Sequence, residues 1–462
     1  MSIGYGQVSF SQLRAAYGGP GGSPLGGTGI TSLSQYYFVT KSLPGLPLNS
    51  SKPISLSNFW FTTKYLSKKS TLTFSNGERL GISVALSNNG NRLIMGADLA
   101  SGSGAMYSYD LQNSTGSLVY GETGGDQYGW SVATSADGST IVVGALYYGA
   151  TNVGAVYIYT PSSSTLKKRL VGGVAEGWFG SSVAVSSDGT LVAVGAKKET
   201  HSGKTNAGAA YVYKYTRVFN SETEQYVEDW AETRFVAPDA VAGDEFGVTI
   251  ALSSDGTVLA VGADYDDVSG TTNAGSVNIW RLSGSTWNHE TILKAGQLRP
   301  EGRFGYGLSM SDDGNIIAVG CLAVANEYPQ NSGGVYVFTK TTSWAETAYL
   351  TAADGGEANA YFGYAVALSG NGYTLCVGAF LDDRAVVDAG SVHVFTRAQN
   401  INSWIYVKLI EHTTAAGVVD GVLSDQFGIS LALSYHGDFL SIGCANDETS
   451  GSTNGGSVTT YI

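Results

Sequence analysis

The sequence predicts an all-β protein: a seven-bladed β-propeller of four-stranded antiparallel blades, closed by an N-terminal strand and preceded by an extended arm. Three observations predict it. A pattern of three short apolar runs returns seven times. Asp-Gly or Asn-Gly separates the first two runs in most copies. The last copy lacks a fourth run, and an unmatched strand-like run stands ahead of the first copy.

Each copy opens on an aromatic-glycine pair or a variant of it: Leu80-Gly81, Tyr128-Gly129, Phe179-Gly180, Phe246-Gly247, Phe304-Gly305, Phe362-Gly363 and Phe427-Gly428. Successive pairs lie about 50 to 70 residues apart, the length of one blade. An alternating run follows, such as VTIALS after Phe246-Gly247. The turns NNGN, ADGS, SDGT, SDGT, DDGN, GNGY and YHGD come next. Such dipeptides between apolar runs signal a hairpin, with a primed turn expected because glycine accepts positive φ. The second run ends in Gly-Ala or Gly-Cys, as in VAVGA and IAVGC, and the third opens on Gly, as in GAVYIY and GGVYVF. A weaker fourth run precedes the next pair, as in TWNHETILKA and SWAETAYLTA. All four are short, rich in Val, Ile and Tyr, and bounded by turn residues, which marks strands.

A lone four-stranded sheet cannot bury both faces, whereas blades stacked around an axis can. The final copy stops at GGSVTTYI, and KYLSKKSTLTF precedes the first. Pairing these two ends completes the last blade and removes an open edge. The insert RVFNSETEQYVED after the third copy is expected to lie in a loop.

Composition narrows the function. Charged residues make up 14% and the formal net charge is −13. A nucleic-acid partner needs a basic footprint, and the densest basic run, Lys167-Lys168-Arg169, is short and reads as a solvated strand edge. No run approaches the roughly 18 apolar residues of a membrane-spanning helix, so no membrane insertion is expected. The start, MSIGYGQVSFSQLR, has neither the basic segment nor the apolar run of a signal peptide. Cys321, Cys376 and Cys444 are too few and too strand-like in context for a disulfide framework, and read as small buried residues suited to a reducing cytoplasm.

The unit FG…(S)xDGxxxxVGA…GxVYVY resembles the FG-GAP repeat of integrin-α-type propellers over roughly residues 60–462. The resemblance implies the fold and a binding or adhesion role. It does not bring that family's calcium loops. Where those carry a DxDxDG segment, this chain has only turns such as Ser254-Asp255-Gly256-Thr257, too short to surround a cation that needs six to eight oxygens.

Residues 1–59 form a separate segment by composition, an anchoring arm containing GGPGGSPLGGTG and SLPGLPLNSSKP. Such stretches offer little apolar surface against the entropy of ordering them. Between them, VSFSQLRAAYGG reads as a short helix capped by Ser9 or Ser11 and stopped at Gly18, and TSLSQYYF and ISLSNFWF are near-copies. These motifs resemble short segments in structural proteins of tailed phages and large DNA viruses. They supply assembly-contact candidates: Phe10, Leu13, Arg14, Tyr17, Tyr36, Tyr37, Phe38, Phe59 and Trp60.

No catalytic set emerges, and no cofactor or metal site is expected. Ser202-Gly203-Lys204-Thr205 ends like a phosphate-binding loop, but Lys198 stands where its first glycine belongs. Asp264, Asp266 and Asp267, or Asp382 and Asp383, read as solvated acidic loops able at most to hold a cation weakly. No two of the five histidines have metal-ligand spacing. The reading placed first is therefore a virion structural protein (a minor capsid, tail or surface-decoration component) assembled in the host cytoplasm. Its arm docks to other virion proteins, and its ring is displayed toward a host surface glycan or protein. A cellular or bacterial surface adhesion propeller is the alternative, and a glycan-acting enzyme comes third.

Overall fold

A computed structural model describes residues 67–73, 78–160, 165–221, 224–323, 331–352, 357–384, 387–398, 403–412, 424–447 and 455–462. Their strands form seven four-stranded antiparallel sheets; six are meanders of consecutive strands, and the seventh takes its outer strand from the start of the described chain. Blade 1 runs Leu80–Leu86, Arg92–Ala97, Ala105–Asp110 and Thr115–Tyr120 from the axis outward. The inner strands of blades 2 to 7 are Tyr128–Thr134, Phe179–Val185, Ile250–Leu252, Leu308–Met310, Val366–Leu368 and Phe427–Leu433. Each touches the inner strands on either side, and Phe427–Leu433 touches Leu80–Leu86, so the ring is closed. Among the described residues no helix is long and apolar enough to cross a membrane.

Closure takes the form the sequence predicts. Lys68–Thr73 pairs antiparallel with Ser457–Tyr461, with Leu72 opposite Val458, and so becomes the outer strand of blade 7. Ser67 N–H donates to Ile462 O at 2.7 Å, and Ile462 N–H returns a bond to Ser67 O at 3.1 Å.

The core lies in the seams between blades. Second strands such as Leu191–Ala196 are buried along their whole length, because a neighbouring blade covers each face. This is why they read as unbroken apolar runs rather than alternating ones. The aromatic of each opening pair plugs a seam. Phe246 is fully buried between Val212 and Phe235 of blade 3 and Leu259 and Trp280 of blade 4. Leu80, Tyr128, Phe179, Phe304, Phe362 and Phe427 are equally buried.

The two glycine signatures explain each other across a seam. A Cβ on Gly195, in the second strand of blade 3, would lie 2.1 Å from the carbonyl oxygen of Gly247 in blade 4. Gly247 itself has φ +97°, a conformation open to glycine. Gly443 meets Gly81 in the same way at the closing seam.

The turns between first and second strands differ from the primed type. In Ser186–Thr190, Gly189 N–H donates to Ser186 O, and Gly189 alone is left-handed, at φ +71°. This is a type I turn followed by a left-handed glycine. The Asp188 carboxylate holds it, accepting from Ser186 Oγ at 2.7 Å and Thr190 N–H at 3.0 Å. Ser186 Oγ also accepts from Leu191 N–H at 2.9 Å.

These turns are linked to one another around the axis. Backbone N–H donors at Asn88, Ala136, Ser187, Ser254 and Asp312 bond to carbonyls of Ala136, Ser187, Ser254, Asp312 and Gly370 in turn. Asn371 then donates to Tyr435, and Tyr435 donates back to Asn88 at 3.0 Å. The chain of bonds is a closed loop through all seven blades.

Candidate functional site

A meander fixes which loops share a face. First-to-second and third-to-fourth turns lie at one end of the ring, and second-to-third loops lie at the other with the connections between blades. Each end carries a distinct surface.

On the first end, the insert after the third copy is a strand extension and not the loop expected. Ala209–Asn220 pairs with Gln225–Phe235, whereas the neighbouring strand ends opposite Lys214. Tyr215–Asn220 therefore continues past the blade for about 20 Å at ~3.3 Å per residue. The pairs Tyr215–Trp230, Arg217–Glu228 and Phe219–Tyr226 share one face of this hairpin. Tyr215 and Trp230 rings are 5.1 Å apart, and Phe219 and Tyr226 5.2 Å. The Arg217 guanidinium lies 4.1 Å over Tyr226 and pairs with Glu228 at 3.6 Å. Lys167 of blade 2 sits 3.5 Å over Tyr215, so the basic run is a strand edge that buttresses the hairpin base. Beyond that support the hairpin is bare: Val218 is 64% exposed, Phe219 52%, Tyr226 58% and Val227 53%. The missed signal is the alternation in YKYTRVFN and EQYVEDW, which has strand period.

At the other end, the residue before each opening pair is left-handed in all seven blades: Arg79, Gln127, Trp178, Glu245, Arg303, Tyr361 and Gln426, with φ between 49° and 61°. Side chains rarely adopt this conformation. The repeated position carries five residue types, with Arg and Gln twice each. Arg79 pairs with Asp98 at 3.1 Å, Lys197 with Glu245 at 3.3 Å, Lys198 also with Glu245, and Arg303 with Asp264 at 2.6 Å. Arg303 also stacks 4.3 Å over Tyr265 and 5.0 Å over Tyr306. The Tyr306 hydroxyl donates to that of Tyr364 at 2.9 Å, and Tyr364 lies 4.2 Å from Phe380. Burial pushes the Asp264 carboxyl up to about 6 against the pull of Arg303, and raises the Tyr306 phenol well above its ordinary value. Nothing in the sequence pattern marks these residues, because they share a position and not a chemistry.

The acidic loops are held by separate partners. Asp264 goes to Arg303, Asp267 accepts from Asn273 N–H at 2.8 Å, and Asp382 is engaged by Ser391 and Arg384. Lys204 of the Ser202–Thr205 stretch donates to Ala240 O at 2.6 Å, within a loop. His393 is fully buried, its ring 5.1 Å from Phe362, and serves packing. The three cysteines are buried and form no disulfide. Among the described residues one group of donors does converge: His412, Cys444 and Asp447, brought together from two blades. The arm candidates Phe10, Leu13, Arg14, Tyr17, Tyr36, Tyr37, Phe38, Phe59 and Trp60, and the short helix near them, lie outside the described residues.

The family model for the FG-GAP repeat matches residues 121–159, 172–213, 230–279 and 344–395, segments that take in strands of blades 2 to 6. These four segments match the FG-GAP repeat and lie within the seven-bladed propeller, a combination that suggests a protein-binding or adhesion-type module. No protein of curated function matches it in sequence. Among solved structures, a chain in "Crystal Structure of Mitotic Checkpoint Complex" is similar, with a TM-score of 0.54 and 13% identity over 90% of this chain and 97% of that one. At that identity the likeness concerns the fold alone.

Proposed function

We propose that the chain is a non-catalytic protein-binding ring that engages a protein partner through the hairpin of blade 3, with the mouth of the ring as a second contact surface. The bare aromatic hairpin carries this reading. Tyr, Trp and Arg are the residues that concentrate binding energy at protein interfaces, and a paired hairpin presents them with little entropy left to lose. The finer reading is a structural component of a viral particle, docked through residues 1–59. The support for it is the arm's resemblance to segments of phage and large-virus structural proteins. A surface adhesin of a cell is the alternative.

A photo-crosslinking residue at Phe219, with one at exposed Tyr120 as control, tests the binding reading in the native assembly. One dominant protein adduct at Phe219 and none at Tyr120 is the expected result, and equal labelling at both refutes it. For the finer reading, a chain lacking residues 1–55 is expected to fold yet be missing from purified particles. Normal incorporation would move the adhesin ahead.

A further inference from the structure

The seam between blades 6 and 7 breaks a rule that the seams after blades 1 to 5 keep. Just past the outer strand, blades 1 to 5 place Gly121, Gly172, Ala237, Ala295 and Ala352, where the next blade packs closely. Blade 6 places His412 there, and it is buried. Around it lie Asp425 of the connecting loop, Cys444 at the end of the second strand of blade 7, and Asp447 just beyond, all buried. Nδ1 of His412 is 3.2 Å from Asp425 Oδ2, and Nε2 is 3.6 Å from Asp447 Oδ2. Donor atoms of His412, Cys444 and Asp447 all lie within 4.8 Å of one another. The imidazole stacks on Phe427 at 5.2 Å and 25°, which fixes its plane.

We propose that this seam binds one divalent transition-metal ion of the zinc type, ligated by His412 Nε2, Cys444 Sγ and Asp447. Asp425 is the positioning residue: by accepting from Nδ1–H it leaves the Nε2 lone pair free for the metal. Two ligands on a tetrahedral zinc lie about 3.3–3.8 Å apart, given bonds of about 2.0–2.3 Å. The seam thus needs only small side-chain rotations to close on an ion. The sulfur and nitrogen donors select a borderline-soft metal over calcium or magnesium, which take oxygen sets. Binding deprotonates the Cys444 thiol, now donating to Asp425 O at 3.1 Å, and releases that proton to solvent.

The rival account is a plain ion pair. Glu199 of blade 3 pairs with Arg234, and Asp382 of blade 6 with Arg384, at the position of Asp447. His412 would then only neutralise Asp447. In that account Asp425 shares the imidazolium and the thiol only donates to Asp425 O, and the two accounts predict different spectra. The full chain, stripped with a chelator, is titrated with cobalt(II) alone. One equivalent is expected to bind with a thiolate-to-cobalt charge-transfer band, and zinc is expected to displace it. Cys444→Ser should remove the band, whereas Cys321→Ser, at the matching position of blade 5, should keep it. His412→Ala restores the residue of blades 3 to 5, so it should fold, and it should abolish binding. Asp425→Asn should weaken cobalt about 10- to 100-fold and retain the band. Absence of stoichiometric uptake, or a cobalt spectrum indifferent to Cys444→Ser, overturns the proposal.

Discussion

The side-chain amide of Asn88 donates to Asp312 Oδ2 at 2.9 Å, joining blade 1 to blade 5 across the axis although the residues are 224 apart in sequence. Burial raises the Asp312 carboxyl above its ordinary value, and the Asn88 bond offsets part of that rise. A raised acid is a liability at neutral pH: its contribution to stability is present below the unfolded value and lost as pH rises through the folded one. Asn88→Asp sets two carboxylates together and should enlarge this loss. We expect a deficit of about 1–3 kcal/mol near pH 7 that shrinks toward pH 4. Urea titrations at the two pH values check it, and an equal deficit at both would argue against the contact.

The closing strand gives a prediction by truncation. Removing residues 1–55 should leave the melting transition nearly in place. Removing residues 1–75 also takes Lys68–Thr73 and bares the Ser457–Tyr461 edge, so the transition should fall sharply and broaden. Equal melting temperatures for the two truncated chains would contradict closure.

The glycine seam separates crowding from backbone strain. Gly203 has φ +76° with nothing within 4 Å of a new Cβ, so Gly203→Ala should cost only about 1 kcal/mol. Gly195→Ala drives a methyl into the Gly247 carbonyl and should cost roughly 3 kcal/mol or more. Matching losses from denaturant titration would show that the seam is looser than described.

Phe246 fills its seam completely. Phe246→Ala should cost about 3–5 kcal/mol, the range for buried aromatic truncation. A loss under ~1 kcal/mol would show that the neighbouring blades collapse into the gap.

The turn carboxylates carry a pH signature of opposite sign to Asp312. Burial alone would raise Asp188, but the bonds from Ser186 and Thr190 outweigh it and hold the carboxyl below its ordinary value. Asp137, Asp255 and Asp313 are lowered in the same way. A depressed acid stabilises above its unfolded value, near 3.8, and the benefit is lost as pH falls through the folded one. Asp188→Ala should cost about 1 kcal/mol at pH 7, with a smaller difference near pH 3. Asp188→Asn should be nearly neutral, since Asn89 and Asn371 accept the same serine bond at 2.7 and 2.8 Å. A pH-independent cost of Asp188→Ala would count against the carboxylate as the origin.

Blade number and strand phase were legible because their signals are local, a turn and an alternation, and closure was legible because one unmatched run at each end leaves a single pairing. The Ser186–Thr190 turn was misread in type, because Asp-Gly suits both a primed turn and a type I turn with a left-handed glycine. The blade 3 hairpin was legible in principle, since Val218 and Phe219 face Val227 and Tyr226 in register, but length beyond the repeat was taken for loop. The mouth was not legible. Arg303 and Asp264, or Tyr306 and Tyr364, meet only because separate blades bring them together. His412 and Cys444 are likewise far apart in the chain, so no spacing rule could join them.

The loop of peptide bonds from Asn88 round to Tyr435 and back has no first or last link. Every N–H points the same way about the axis, so the dipoles run head to tail in a circle and cancel along it. Opening the circuit at one blade leaves the other links in register to close it again. Adding or deleting a blade is different, for the circuit would have to be cut and rebuilt to another circumference. An open solenoid can lengthen by one repeat at the cost of one interface. Here the count of seven is held as a whole number, and descendants of this chain are free to vary their loops far more readily than their number of blades.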